Sequence, residues 1–416
     1  MTDTTITVEE FRRAAQAWMT ANLQPRTRGQ RAIPVETVEQ LAGQRALQKR
    51  LFDGGFAGIT YPAEYGGRGL TVRHERAFNE EGRRFVLPDL GVAGHVTMGP
   101  IGRSIAAHGS PELKARHLPR ILAGEELWCQ FYSEPEAGSD LAGIRTRATR
   151  DGDRWILNGS KIWSSGAHLA DWAMCLARTD WSVPKHRGLT WFAVPTNAKG
   201  VTIRQIHQIN GNAEFCEEFL DDVEVTDADV IGEVNRGWAV TQTMLVYERG
   251  AGGSGGGRGE PRELAPDLVA LARKVGRTDD PAARQAIARA HINDYAQYHL
   301  RRAMAARLRA SAKPDAAVAA YAKLAAGVFT PLRARLGLEV GGPAALTWSP
   351  DDERGGRPAL DYLNGRIVSI AAGTNEVQRN GIGERILGLP REPSFDTNKP
   401  FDEVLRAARD FDGRVG

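Results

Sequence analysis

The chain has 416 residues, enough for two or three domains, with 42% apolar and 25% charged residues, ordinary values for a globular protein. Lys and Arg (54) nearly balance Asp and Glu (51), and no basic run is interleaved with aromatics, which argues against nucleic acid as the main partner. No apolar run nears the roughly 20 residues that span a bilayer, no secretory pattern opens the chain, and Cys129, Cys175 and Cys216 suit neither a disulfide framework nor a zinc site. A cytoplasmic location without membrane insertion is therefore expected.

The first third reads as helix. Thr7-x-x-Glu10 and Thr37-x-x-Gln40 are capping boxes, ahead of Phe11 and Trp18 in one case and Leu41, Leu47 and Leu51 in the other. Gly54-Gly55 ends the second helix. A loop over 61–67 follows, then helical patterns around Phe78 and around Ile101 and Ile105. Ser110-Pro111 supplies an N-cap and N1 proline for a helix running to Gly124.

From about residue 127 the apolar period drops to two. Segments 144–149 and 154–157, joined by Asp151-Gly152, read as a hairpin, with further strands over 171–177, 189–194, 201–206 and 217–225. Strands without helices between them predict an antiparallel barrel or sandwich. Helix returns over 238–247, followed by a glycine-dense run over 250–257. Later helices carry Leu268 and Leu271, then Leu300, Met304 and Leu308, and the last runs from near Thr374 to Gly388-Leu389-Pro390. The expected domains are 1–127, 128–236 and 237–416, in an α+β fold.

The glycine-dense run contains matches to a dinucleotide-binding fingerprint and to a nucleophile elbow. Both need a strand feeding the turn, and here a helix precedes it, so neither is adopted. Gln130-Phe131-Tyr132-Ser133-Glu134-Pro135-Glu136-Ala137-Gly138-Ser139-Asp140 is more informative. It opens as a strand and breaks into an exposed turn whose small hydroxyls and glycine leave backbone N–H groups open to a ligand. Lys161-Ile162-Trp163-Ser164-Ser165-Gly166 reads as a second such turn with an aromatic ring added.

With these two motifs in this order, with His108-Gly109-Ser110, with Gly373-Thr374-x-x-x-Gln378-Arg379 and with the α–β–α plan, the chain resembles the acyl-CoA dehydrogenase family over nearly its whole length. That resemblance implies an N-terminal helical domain, a middle β-barrel or sandwich and a C-terminal four-helix bundle. It also implies FAD, α,β-dehydrogenation of an acyl-CoA thioester, and an electron-transfer flavoprotein as acceptor. Gln130, Tyr132, Ser133, Gly138 and Ser139 would meet the flavin ring or ribityl-phosphate. Trp163 would pack on the ring with Ser165 hydrogen-bonding near N5 and Ser164 beside it, and Thr374 and Glu376 belong to the same cofactor set. The family usually has threonine where Ser133 and Ser165 stand, and serine keeps the hydroxyl.

Two departures from the family pattern follow. Where many members carry the catalytic glutamate, just before Gly-Thr, this chain has Ala372, which cannot take a proton. The isovaleryl and long-chain types take their base from the helix after the β-domain, and Tyr247-Glu248-Arg249 matches that position. Glu248 is then the expected base, the Ala372 backbone N–H would donate to the thioester oxygen, and Ser139 and Arg249 would adjoin substrate. The second departure concerns assembly. The Arg-x-x-Phe-Gly motif that grips a neighbour's flavin pyrophosphate is lost in 271–280, and Leu338 replaces a phosphate-binding glutamine. The resemblance is then to the actinobacterial α2β2 enzymes acting on sterol side-chain thioesters, with a second dehydrogenase-like chain as partner; a homotetramer is the alternative. Ala372 and the glycine run suit a bulky acyl group. The competing readings are a non-catalytic partner subunit and a flavin monooxygenase or oxidase on the same fold.

Overall fold

A computed structural model describes residues 6–27, 37–248, 261–310, 316–346, 356–394 and 396–410. The run 250–257 and Arg249 lie outside them. By compactness the chain divides into one unit of residues 1–207, 213–247 and 394–416, and a second of 208–212 and 248–393.

The first unit begins with α1 (Val8–Asn22) and α2 (Val38–Asp53), each started by the capping box read from sequence. The threonine hydroxyl accepts from the N3 N–H, and Glu10 or Gln40 accepts from the threonine N–H. α3 (Val72–Gly82), α4 (Gly91–Val96), α5 (Gly102–His108) and α6 (Pro111–Ala123) follow. Ser110 caps α6, and Gly124, at φ 75°, ends it. Phe11, Met19, Phe56 and Phe78 form one core among these helices. Ile105, Leu118 and Leu122 join Trp128 and Trp191 of the sheet in another.

The strands are β1 (Trp128–Phe131), β2 (Arg147–Asp151), β3 (Arg154–Ser165), β4 (Trp172–Arg178), β5 (Leu189–Pro195), β6 (Val201–Ile206), β7 (Phe215–Thr226) and β8 (Val230–Ile231). They form one sheet in the order β6-β7-β3-β2-β4-β5-β8, with β1 attached to β4. Pairing is antiparallel, as expected, except that β1 and one residue of β2 run parallel to β4. The chain between β1 and β4, residues 132–171, is long enough for such a crossover. Cys129, Phe131, Cys175, Phe192, Cys216 and Leu220 fill the interior beneath the sheet.

One expectation is corrected here. The stretch from Lys161 to Ser165, read as an exposed turn, is the end of β3. That reading rested on the small hydroxyls and the glycine, whereas the strand carries them by way of bulges between Leu157 and Gly159 and between Ile162 and Ser164 that interrupt its two-residue alternation. At Gly159 the strand passes so near Thr146 that a Cβ would meet its hydroxyl at 2.6 Å.

α7 (Gly237–Glu248) packs Val240 and Met244 into the core containing Trp191. The Trp191 indole N–H donates to the Gly237 carbonyl (3.0 Å) and the Thr241 hydroxyl (3.1 Å). In the second unit α8 (Pro266–Lys274), α9 (Pro281–Ala310), α10 (Ala316–Gly341), α11 (Pro343–Leu346), α12 (Gly356–Gly365), α13 (Ile367–Ile370) and α14 (Asn375–Arg385) gather around α10. Arg333 on α10 clamps Asp267 of α8 (2.9 Å) and Asp294 of α9 (2.8 Å).

α15 (Phe401–Arg409), not foreseen, belongs to the first unit. The Phe401 and Asp402 N–H groups donate to the carbonyls of Val183 and Trp181 (both 3.0 Å), and the Phe401 ring lies 3.8 Å from the Arg178 guanidinium. The signal was present in the sequence and went unread: Phe401, Val404 and Leu405 fall at helical spacing, with Asp402 and Glu403 in the first turn and Arg406 and Arg409 in the last.

Candidate active site

β1 hands the chain to the loop of residues 132–140. Three carbonyls of this segment point toward β3, which is not its ladder partner. Gln130 O accepts from the Ser164 hydroxyl (2.7 Å), Tyr132 O from Lys161 Nζ (3.1 Å) and Ser133 O from the Ile162 N–H (3.0 Å). Side chains and one amide therefore stitch together two strands that share no regular ladder. The Tyr132 ring packs 5.2 Å from Trp191, and Gln130 Nε2 approaches the Met244 sulfur at 3.0 Å.

Under this stitching lies a buried charged pair. Lys161 Nζ sits 2.9 Å from Glu134 Oε1, and Glu134 also accepts from the N–H groups of Arg145 (2.6 Å) and Thr146 (2.8 Å). Burial pushes the Glu134 carboxyl up, but Lys161 and the hydrogen bonds outweigh it and hold the group below the usual carboxylate range. Beyond Glu134 the loop is open. Gly138, Ser139 and Asp140 are exposed, and a Cβ on Gly138 would meet nothing within 4 Å.

Trp163 stands out on this face. It is 56% exposed and has φ 68°, a left-handed conformation that a bulky residue adopts only when its surroundings enforce it. The bulge before Ser164 supplies that enforcement. Phe215 meets the indole edge-on at 6.0 Å. Ser165 is half-buried beside it, while Ser164 turns inward, where its hydroxyl also meets Glu218 Oε2 at 2.8 Å.

In the second unit, Ala372 and Gly373 have φ 55° and 91°, and the Gln378 side-chain amide reaches both their carbonyls at 3.3 Å. The Ala372 N–H makes no hydrogen bond to another described residue. Thr374 is the N-cap of α14, its hydroxyl accepting from the Val377 N–H (3.2 Å), and Glu376 in the first turn pairs with Arg379 at 3.1 Å. Glu248 is the exposed last residue of α7. Arg277, within the segment 271–280, is turned inward onto Asp280 and the carbonyls of Glu339 (2.6 Å) and Val340 (3.1 Å). Leu338 is half-buried, with its carbonyl accepting from the Gly342 N–H (2.8 Å).

An exposed indole on a strained strand end, with hydroxyl and amide groups around it, offers what a flavin ring requires: an aromatic wall and aimed polar groups. The residues present fit such a group. Among the described residues no cluster of His, Cys, Asp or Glu could hold a metal ion, and no helix is long and apolar enough to cross a membrane.

The chain belongs to the acyl-CoA dehydrogenase family. Its sequence matches the family's N-terminal domain over residues 5–125, its middle domain over 129–223 and its C-terminal domain over 235–387. It is 40% identical over 388 residues to the acyl-CoA dehydrogenase IpdE1 of Mycobacterium tuberculosis H37Rv, covering 92% of this chain and 98% of that protein. Among solved structures it is similar to the Tcur3481-Tcur3483 steroid ACAD, at 29% identity and a TM-score of 0.73, over 92% of this chain and 98% of that one. It is also similar to a chain of the ChsE4-ChsE5 complex from Mycobacterium tuberculosis, at 28% identity and a TM-score of 0.69, over 94% and 100%. Membership makes the chain an oxidoreductase and implies a flavin cofactor.

The buried partners of the site, Lys161, Glu134 and Glu218, were not singled out from sequence. For Glu218 the signal existed: Cys216, Glu218 and Leu220 alternate on the inward face of β7, which puts a glutamate where an apolar residue belongs.

Proposed function

We propose that the chain is an FAD-dependent acyl-CoA dehydrogenase acting on a bulky, branched or sterol-derived acyl group, with Glu248 as the α-proton base. The observation that carries the reading is the pairing of Ala372, which has no proton-accepting side chain, with a glutamate at the end of α7. FAD, when bound, supplies the acceptor for the hydride that leaves the β-carbon. Gln130, Tyr132, Ser133, Gly138, Ser139, Trp163, Ser165, Thr374 and Glu376 hold and orient it, while Ser164, buried beneath this face, acts through its bond to the Gln130 carbonyl and not by touching the ring. Glu248 takes the proton from the α-carbon. The Ala372 N–H donates to the thioester oxygen as negative charge develops there, a role that needs no side chain. Ser139 and Arg249 adjoin the substrate. The small side chain at 372 leaves room for a wide acyl group.

The relatives named for steroid substrates and for a two-chain complex support the substrate class and a partner subunit. The loss of Arg-x-x-Phe-Gly and the apolar Leu338 support the same assembly, an α2β2 heterotetramer, because a neighbour's flavin pyrophosphate would find neither group here. Electrons would pass to an electron-transfer flavoprotein, and the compartment would be the cytoplasm. Anaerobic addition of an acyl-CoA tests the chemistry: the flavin band bleaches in the wild-type protein and persists in Glu248→Gln. Bleaching at an unchanged rate in that variant removes Glu248 from the mechanism. Full FAD occupancy and activity of the chain purified alone would remove the partner.

A further inference from the structure

Glu218 lies on β7 opposite Lys161 of β3 and is fully buried. Its Oε2 is 2.8 Å from the Ser164 hydroxyl, which is itself 2.7 Å from the Gln130 carbonyl. A hydroxyl carries one proton, and a carbonyl can only accept. Ser164 must therefore donate to Gln130, and the short contact with Glu218 requires the proton to lie on the carboxyl.

The surroundings point the same way. Lys161, the cation that acts on Glu218, is already held by Glu134 (2.9 Å) and the Tyr132 carbonyl (3.1 Å). Glu217 is next along β7 and adds repulsion. Cys129 of β1, Cys175 of β4 and Cys216 of β7 are buried thiols, all pushed up by burial, and so bring no charge. His168, at 3.6 Å from the Cys216 sulfur, is held below its ordinary value by burial. Glu218 Oε1 has no hydrogen-bond partner among the described residues, a condition far costlier for a carboxylate oxygen than for the carbonyl of a neutral acid. Burial accordingly pushes the Glu218 carboxyl up to about 8, more than Ser164 and Lys161 can offset.

We propose that Glu218 is a positioning residue: as a neutral acid it donates to Ser164, which donates to Gln130, and this two-bond chain fixes β1 against the bulge that presents Trp163 and Ser165. Loss of the proton turns the Ser164 hydroxyl toward the carboxylate and frees the Gln130 carbonyl, so the stitch between β1 and β3 is open at high pH and closed at low. The inference rests on the flavin reading of this face.

The test uses the purified, flavin-loaded protein. The flavin absorption spectrum of the wild type should change reversibly with a midpoint near pH 8. Glu218→Gln, whose amide still donates to Ser164 but does not titrate, should bind flavin and lose that step. Glu218→Val, which has no donor, should bind flavin on the order of tenfold more weakly. A second readout needs no flavin: the infrared C=O stretch of a protonated carboxylic acid at pH 7, present in the wild type and absent from Glu218→Gln. A wild type without the infrared band, or a Glu218→Gln protein that keeps the spectral step, overturns the proposal while leaving the flavin reading intact. A protein that shows the infrared band and binds no FAD sinks the flavin reading, and the positioning role falls with it.

Discussion

Gln130, Tyr132 and Ser133 each commit a carbonyl to β3 through a different donor, whereas the carbonyls of Ala372 and Gly373 share one glutamine amide at 3.3 Å. The first region is over-determined: a buried ion pair, a hydroxyl relay and an amide fix the same few residues. The second depends on two positive-φ residues and little else among the described contacts. The difference follows from what each would do. Holding a planar ring needs several backbone groups fixed at once, so the segment cannot vary without losing its grip. Removing a proton needs one carboxylate within reach, and several backbone positions can supply it. On the proposed reading, with Glu248 as the base, position 372 is free to be alanine.

If the two regions are separate in this sense, Glu248→Gln lowers turnover by about 10²–10⁴ and leaves the ratio of flavin to protein absorbance unchanged. Equal loss of flavin and turnover would break the separation. The complementary variant is Lys161→Met. It leaves Glu134 buried beside two N–H groups without its cation, and breaking a buried pair costs about 3–5 kcal/mol. Urea unfolding measures the loss. Adding Glu134→Gln should recover part of it, because the stranded charge is then gone.

Much of this contrast was legible in the sequence. Capping boxes at Thr7 and Thr37, the proline after Ser110 and the switch to a two-residue period at about residue 127 announce the helices and strands because they are local signals. The run into Ser133 and the Gly-Ser-Asp turn announced an open loop after β1 for the same reason, and residues 138–140 are exposed. The end of β3 was misread because Ser164, Ser165 and Gly166 look like turn residues, while two bulges hide the alternation that marks a strand. The pairing of Lys161 with Glu134, 27 residues apart, has no local signature. Glu218 was visible only as a glutamate in an otherwise apolar inward-facing row, and its meaning depends on Ser164 across the sheet.

The first region also carries two carboxyls of opposite behaviour. Glu134 is held low, so its stabilising contribution is full above the unfolded value of 4.5 and is lost as pH falls through its depressed folded value. Glu218 is raised, so its contribution is full below 4.5 and is lost as pH rises through about 8. Unfolding free energy should therefore fall on both sides of a mildly acidic optimum, with an alkaline loss on the order of 2 kcal/mol between about pH 6 and pH 8. Glu218→Gln should flatten the alkaline limb and spare the acid one. An alkaline limb that survives in this variant assigns it to another group.

The smallest expected effect separates the two regions at a single backbone angle. Trp163 and Ala372 both hold positive φ, 68° and 55°, which costs an L-residue roughly 1–2 kcal/mol relative to glycine. Glycine at either position relieves that cost, offset in part by the larger entropy of the unfolded chain, for a net gain of about 1 kcal/mol. In Ala372→Gly the gain should appear in denaturant unfolding whether or not flavin is present. In Trp163→Gly it should appear only in the flavin-free protein. With flavin bound the lost aromatic wall should outweigh it and weaken cofactor affinity by about tenfold, since ring contacts contribute on the order of 1 kcal/mol beyond their buried area. Equal behaviour of the two variants would mean that the strain at Trp163 serves the sheet and not the ligand.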